Sequence, residues 1–176
     1  PTPVTALPYV QNFAPAPIAI GAPNLRLNHS GSGPLLVSLH QRWFEATPSV
    51  TSSGFTLATQ LVDERGRHLT RLKQGQTAYL DVTVTSTADA DYVLLEIPIP
   101  AGCSYAKRSE EQGPYAIHRE YRRDRVAVFC DMLPAGTHTY RVALAPRFSG
   151  SYTVNPARAE MQYLPRVNGN TGLETI

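Results

Sequence analysis

Residues 126–170 read VAVFCDMLPAGTHTYRVALAPRFSGSYTVNPARAEMQYLPRVNGN, strand-like stretches broken by proline and glycine corners. Within them Tyr140, Val142 and Leu144 alternate with Thr139, Arg141 and Ala143, and Tyr152 and Val154 alternate with Ser151 and Thr153. A period of two puts one apolar face against a core and one polar face in water, and no helical period competes with it. The stretch therefore predicts consecutive antiparallel strands.

The same punctuation extends outward through the chain. Fifteen prolines and twelve glycines are spread over 176 residues. An interior proline costs a helix about 3 kcal/mol, so this density forbids long helices and predicts an all-β fold. With 42% apolar residues the chain can fill a core as one large domain or as a domain with a satellite. Strands are expected at 55–62, 77–85, 92–97, 115–121, 125–130, 137–145, 151–154 and 158–163. Their number and spacing predict an antiparallel immunoglobulin-like or fibronectin-like β-sandwich. In the second of them Ala78, Leu80, Val82 and Val84 share one face and Tyr79, Asp81 and Thr83 the other, which pins the register. Arg122-Arg123-Asp124-Arg125 reads as a tight hairpin tip.

Residues 1–49 differ in texture. Prolines crowd residues 1–34, a stronger strand is expected over 35–44 (LLVSLHQRWF), and ATPSVTSSG (46–54) resembles a linker. The expected division is 1–49, terminal strands of a neighbouring β domain plus linker, and 50–176, the sandwich. The chain opens PTPVTALP with no leader pattern, and is expected to be a fragment of a longer precursor.

Composition excludes several function classes. Sixteen basic and fourteen acidic residues leave a formal charge of +2, so no nucleic-acid partner is expected. No apolar run approaches the roughly 18 residues of a membrane-spanning helix. The histidines at 29, 40, 68, 118 and 138 stand at least ten residues apart, without local metal-pair spacing. No GxSxG or HExxH string occurs, and neither a catalytic centre, a metal nor a cofactor is expected. Ser109-Glu110-Glu111-Gln112 has the outline of a Cys-x-Glu-Gln thioester motif, but its serine cannot supply the sulfur. Two cysteines, Cys103 and Cys130, are compatible with one bridge or with two separately buried thiols. The segment 118–125, HREYRRDR, is the densest charge cluster. It can dock a carboxylate-rich partner through arginine forks or simply be a solvated hairpin with cross-strand ion pairs.

Four segments carry a family resemblance: LKQGQTAYLDVTVT (72–85) with DYVLLEIPIPAGCSY (91–105), HREYRRDRVAVF (118–129), residues 133–163, and LPRVNGN (164–170). Together they resemble the C-terminal macroglobulin-like domain of bacterial alpha-2-macroglobulin-family proteins, from about Val50 onward. GSGPLLVSLHQRWFEA (31–46) resembles the strands leading out of the thioester-bearing region in that family. The resemblance implies a noncatalytic domain of an exported, periplasmic or cell-surface, often lipid-anchored protease trap. Its partners would be the upstream domains of the same chain and, through the intact parent, target proteases. In such a protein the domain packs on the thioester region and shields it until cleavage. Tyr121, Arg122, Arg123 and Tyr163 are the expected interdomain contacts. A bridge between Cys103 and Cys130 would mark a subgroup stabilised for an oxidising periplasm. The alternative is an extracellular sandwich that binds carbohydrate or a cell surface through exposed aromatics in a planar row.

Overall fold

The structure, a computed structural model, describes residues 30, 32–34, 45–108 and 113–176. The strand expected over 35–44 and the Ser109–Gln112 segment lie outside the described residues.

Twelve strands and no helix are found among the described residues. They are β1 (Thr51–Ser53), β2 (Phe55–Val62), β3 (Ala78–Ser86), β4 (Ala90–Pro98), β5 (Cys103–Tyr105), β6 (Ala116–Tyr121), β7 (Arg125–Leu133), β8 (Gly136–Pro146), β9 (Thr153–Val154), β10 (Arg158–Met161), β11 (Leu164–Asn170) and β12 (Glu174–Thr175). They form a six-stranded sheet ordered β1-β11-β10-β4-β7-β6, a four-stranded sheet ordered β2-β3-β8-β5, and the small pair β12-β9. Every paired ladder is antiparallel, and the fold is all-β in the immunoglobulin-like manner.

The core lies between the two larger sheets and follows from the alternation. On β3 the even positions from Ala78 to Ser86 are buried and the odd ones are not. Of these, Leu80, Val82 and Val84 meet Val93, Leu95 and Ile97 of β4, Val126 and Val128 of β7, and Tyr140, Val142 and Leu144 of β8 in one apolar cluster. Each such side chain stabilises the sandwich by roughly 1.5–3 kcal/mol through burial. The outer face of the four-stranded sheet carries Thr83 and Thr85 bonded to Thr139 and Thr137, both at 3.1 Å, and Asp81 paired with Arg141 at 2.6 Å.

Two elements depart from expectation. Thr51–Ser53, inside the segment read as a linker, is strand β1, with Thr51 opposite Asn170 and Ser53 opposite Asn168. At Gly54, whose φ is +102°, the chain leaves the six-stranded sheet and enters the four-stranded one as β2. A β-carbon there would stand 2.6 Å from Val167 Cγ1, so both the backbone and the space require glycine. LPRVNGN, which lies beyond the last expected strand at 158–163, forms β11, held between β1 and β10. Pro165, Asn168 and Gly169 are poor strand formers, and pairing on both flanks outweighs their propensity.

Candidate functional site

The hairpin tip forms as the charge pattern predicts. Arg122 N donates to Arg125 O at 2.9 Å, closing the turn between β6 and β7. Arg122 Nη2 lies 2.8 Å from Glu120 Oε2 and holds that carboxyl below the usual carboxylate range. Arg125 reaches Glu96 Oε1 on β4 at 3.1 Å, while its Nε has no hydrogen bond and stands 3.6 Å from Asp124 Oδ2. The solvated reading therefore accounts for Arg122 and Arg125, whose charges are met within the hairpin and β4. Arg123 is exposed at the apex.

Tyr121 points the other way. Opposite Val126 it faces the sandwich interior, is half-buried, and meets the Tyr105 ring edge-on at 5.2 Å. It shores up the edge between the two sheets.

Tyr163 sits in the turn between β10 and β11 and is 78% exposed. Its ring meets Tyr92 edge-on, with centroids 5.1 Å apart and planes at 84°. Tyr92 O accepts a hydrogen bond from Gln162 N at 2.9 Å, which ties this turn to β4. The four expected contact residues thus do not form one patch. Arg122 and Arg123 lie beyond the C-terminal end of β6, whereas Tyr163 lies at the sheet end where β6 begins, about 20 Å away at 3.3–3.4 Å per residue.

The bridge weighed between Cys103 and Cys130 is not formed, and both thiols are free. Cys103 opens β5 opposite Pro146 at one end of β8. Cys130 lies 3.5 Å from the hydroxyl of Tyr140, six residues back along the same strand. Six residues of strand span about 20 Å, and disulfides need α-carbons within about 7 Å. Even after the length of the tyrosine ring is allowed for, the two cysteines stand too far apart. Burial raises both thiols above their ordinary pKa, so neither is a ready nucleophile.

The signal that sequence reading missed is a polar lock under Cys130. Tyr140 Oη donates to Pro114 O at 2.8 Å, leaving the Cys130 thiol to donate to Oη. Arg119 Nη1 beside it donates to Arg141 O at 3.2 Å, joining β6 of one sheet to β8 of the other. Tyr140 had been read simply as one apolar position in an alternating strand. A cleft next to this lock is lined by Tyr79, Lys107, Arg119 and Arg141, among others. Arg141 in it is bound by Asp81 and lies over the Tyr79 ring at 5.2 Å, so its charge serves the sheet. Among the described residues no three His, Cys, Asp or Glu side chains are grouped to hold a metal ion.

Comparison with known proteins places this geometry in context. Residues 53–166 match the family model described as the bacterial alpha-2-macroglobulin MG10 domain. No curated protein matches the chain in sequence. Among solved structures, Salmonella alpha-2-macroglobulin reacted with methylamine superposes with a TM-score of 0.64 at 17% identity, over 73% of this chain and 9% of that one. The native conformation of Escherichia coli alpha-2-macroglobulin gives a TM-score of 0.62 at 16% identity, over 72% of this chain and 10% of that one. The Escherichia coli protein activated by porcine elastase gives 0.65 at 17%, over 72% and 13%. At these identities the superpositions speak to the fold, and the chain spans only a small part of each relative.

Proposed function

Because this chain belongs to the MG10 domain family of bacterial alpha-2-macroglobulins, we propose that it is a noncatalytic C-terminal domain of a protease-trapping inhibitor that packs on and shields the thioester region of its parent. The family match over residues 53–166 carries this reading. Two behaviours of relatives support it: the Salmonella protein has been captured reacted with methylamine, a small nucleophile, and the Escherichia coli protein activated by proteases. A domain that covers an electrophile before cleavage and uncovers it afterwards is a two-state interface, biased by whatever the cut does upstream.

In this reading residues 1–49 are the last strands of the neighbouring domain, and the parent is exported to the periplasm or cell surface, where target proteases are met. The contact surface draws on Arg122 and Arg123 at one end of the six-stranded sheet or on Tyr163 at the other, with Tyr121 supporting the edge behind the tip. A carbohydrate-binding role is less well supported. Sugar rings stack on aromatic faces laid in one plane, whereas Tyr92 and Tyr163 cross at 84° and Tyr115 and His138 at 82°.

The test is titration of this chain against the separately produced upstream region of its parent, before and after a protease cut. Shielding requires binding to the uncut form that weakens on cleavage. Loss in Arg122→Ala and Arg123→Ala assigns the contact to the hairpin tip, and loss in Tyr163→Ser assigns it to the opposite end. Equal binding in both states, or none, rejects shielding.

A further inference from the structure

Eight large apolar side chains are exposed among the described residues, and six of them fall at one end of the six-stranded sheet: Tyr163, Leu164, Tyr92, Met132, Tyr115 and Ile117. The register makes the placement explicit. Met161, Val93, Cys130 and Ala116 form one row across the neighbouring strands β10, β4, β7 and β6. Leu164 pairs with Met161 from the adjoining β11, and the other five exposed residues lie within two positions of that row. Four strand spacings, from β11 to β6, make the rim about 19 Å wide. Val50 and Phe148, the remaining two, lie away from it.

Backbone irregularities converge on the same end. Tyr92 and Tyr115 have φ of 51° and 55° and are the only non-glycine residues with positive φ among the described ones. A bulky residue is disfavoured there, and such strain collects where a fold needs a particular presentation. Ile117 is the extra residue of a bulge between Ala116 and His118, a device that re-aims a side chain. Buried positions on β4 run Ile97, Leu95, Val93 and then step by three to Ala90. On β7 they run Val126, Val128, Cys130 and then step by three to Leu133. Both strands roll at one level, leaving Tyr92 and Met132 in solvent. The Tyr92–Tyr163 and Tyr115–His138 ring pairs engage all three exposed tyrosines of the rim, which reduces the side-chain freedom to be lost on docking.

We propose that this rim is the surface on which the domain docks against another domain of its own parent polypeptide, an inference that rests on the shielding reading above. The occupant follows from length and patch size. The aligned region is 9–10% of the full-length relatives, so about nine-tenths of such a chain lies outside this domain and is covalently tied to it. Six side chains are fewer than the 20–30 residues a side of a free-standing complex, yet tethering raises the effective concentration to the order of millimolar, where a small preorganised patch suffices.

Hydroxyl-radical footprinting of the intact parent tests this, each site being normalised to the unfolded parent. In the uncut parent, labelling at Tyr92, Met132 and Tyr163 is expected to fall by ~10-fold or more, as at a water-excluded contact. Tyr163→Ser should restore labelling of Met132, and Arg123→Ala, at the opposite end, should not. Labelling in the uncut parent that matches the exposure of these residues in the isolated domain, 51% at Tyr92, 49% at Met132 and 78% at Tyr163, overturns the inference. Protection that vanishes on dilution also overturns it, by assigning the rim to a second copy. Protection that persists after the protease cut keeps the docking surface and rejects shielding, whereas its loss on cutting supports both.

Discussion

Tyr140 reaches from β8 to the opposite sheet, and its hydroxyl joins Pro114 O to the Cys130 thiol. Burial pushes this phenol well above its ordinary pKa of 10.0. The sign follows from proton counting. Below about pH 10 both folded and unfolded phenols are protonated and the contribution is complete. Above it the unfolded chain releases the proton first, so stability falls as pH rises. Tyr140→Phe should therefore cost about 1–2 kcal/mol at pH 7, for the lost bond to Pro114 O and the weaker one from the Cys130 thiol, and flatten the decline between about pH 10 and 11 in urea titrations. The free cysteines give a second expectation: a thiol reductant leaves the melting temperature unchanged, and a drop of several degrees would reveal a bridge. Sequence reading could find Cys103 and Cys130 as a pair but not measure their separation, because spacing along the chain does not say which end of a strand each residue meets. It found Arg122 and Arg123 as a charged tip correctly, since a hairpin turn is encoded locally. The polar lock was hidden, because a tyrosine in an alternating strand looks the same whether or not its hydroxyl has a partner.

Among the elements, β11 was the least legible and β3 the most. β3 alternates without a break, so period alone identifies it. β11 owes its existence to its neighbours, and Gly169 is the reason it can lie where it does: a β-carbon there would come 2.1 Å from Phe55 O. Gly169→Ala must push β2 and β11 apart and should cost on the order of 1–3 kcal/mol, read as a lower urea midpoint with the slope unchanged. The end of β4 behaves in the opposite sense. Tyr92→Gly relieves a left-handed residue worth roughly 1–2 kcal/mol and adds a glycine's chain-entropy cost of about 0.5–1 kcal/mol. The substituted chain is therefore expected to be no less stable than the parent sequence in the same titration. A large destabilisation would mean that the Tyr92 ring contributes to folding beyond its stacking on Tyr163.

In the whole molecule, the period of two fixes what is inside, and the two sheets close over it. Leu95, 2% exposed in the middle of that core, is the position where truncation should be felt through both sheets. Leu95→Ala is expected to cost about 2–5 kcal/mol, measured by equilibrium unfolding. Class and core were legible because they depend on pattern; the assignment of strands to sheets was not, because it depends on turns such as Gly54 where one strand leaves its ladder for another. That turn has a mechanical consequence. The first residue of β1 pairs with the last of β11, Thr51 with Asn170, so the chain enters and β11 leaves at the same end of the sheet. Traction on the segment before Thr51 loads these bonds one pair at a time, as a zip opens, and not all together in shear. Peeling runs through Thr51, Ser52 and Ser53 and meets Gly54, beyond which the chain is anchored in the other sheet along the eight residues of β2. The domain thus has a short sacrificial seam at its entry, which can yield under a pull from upstream while the sandwich behind it stays closed.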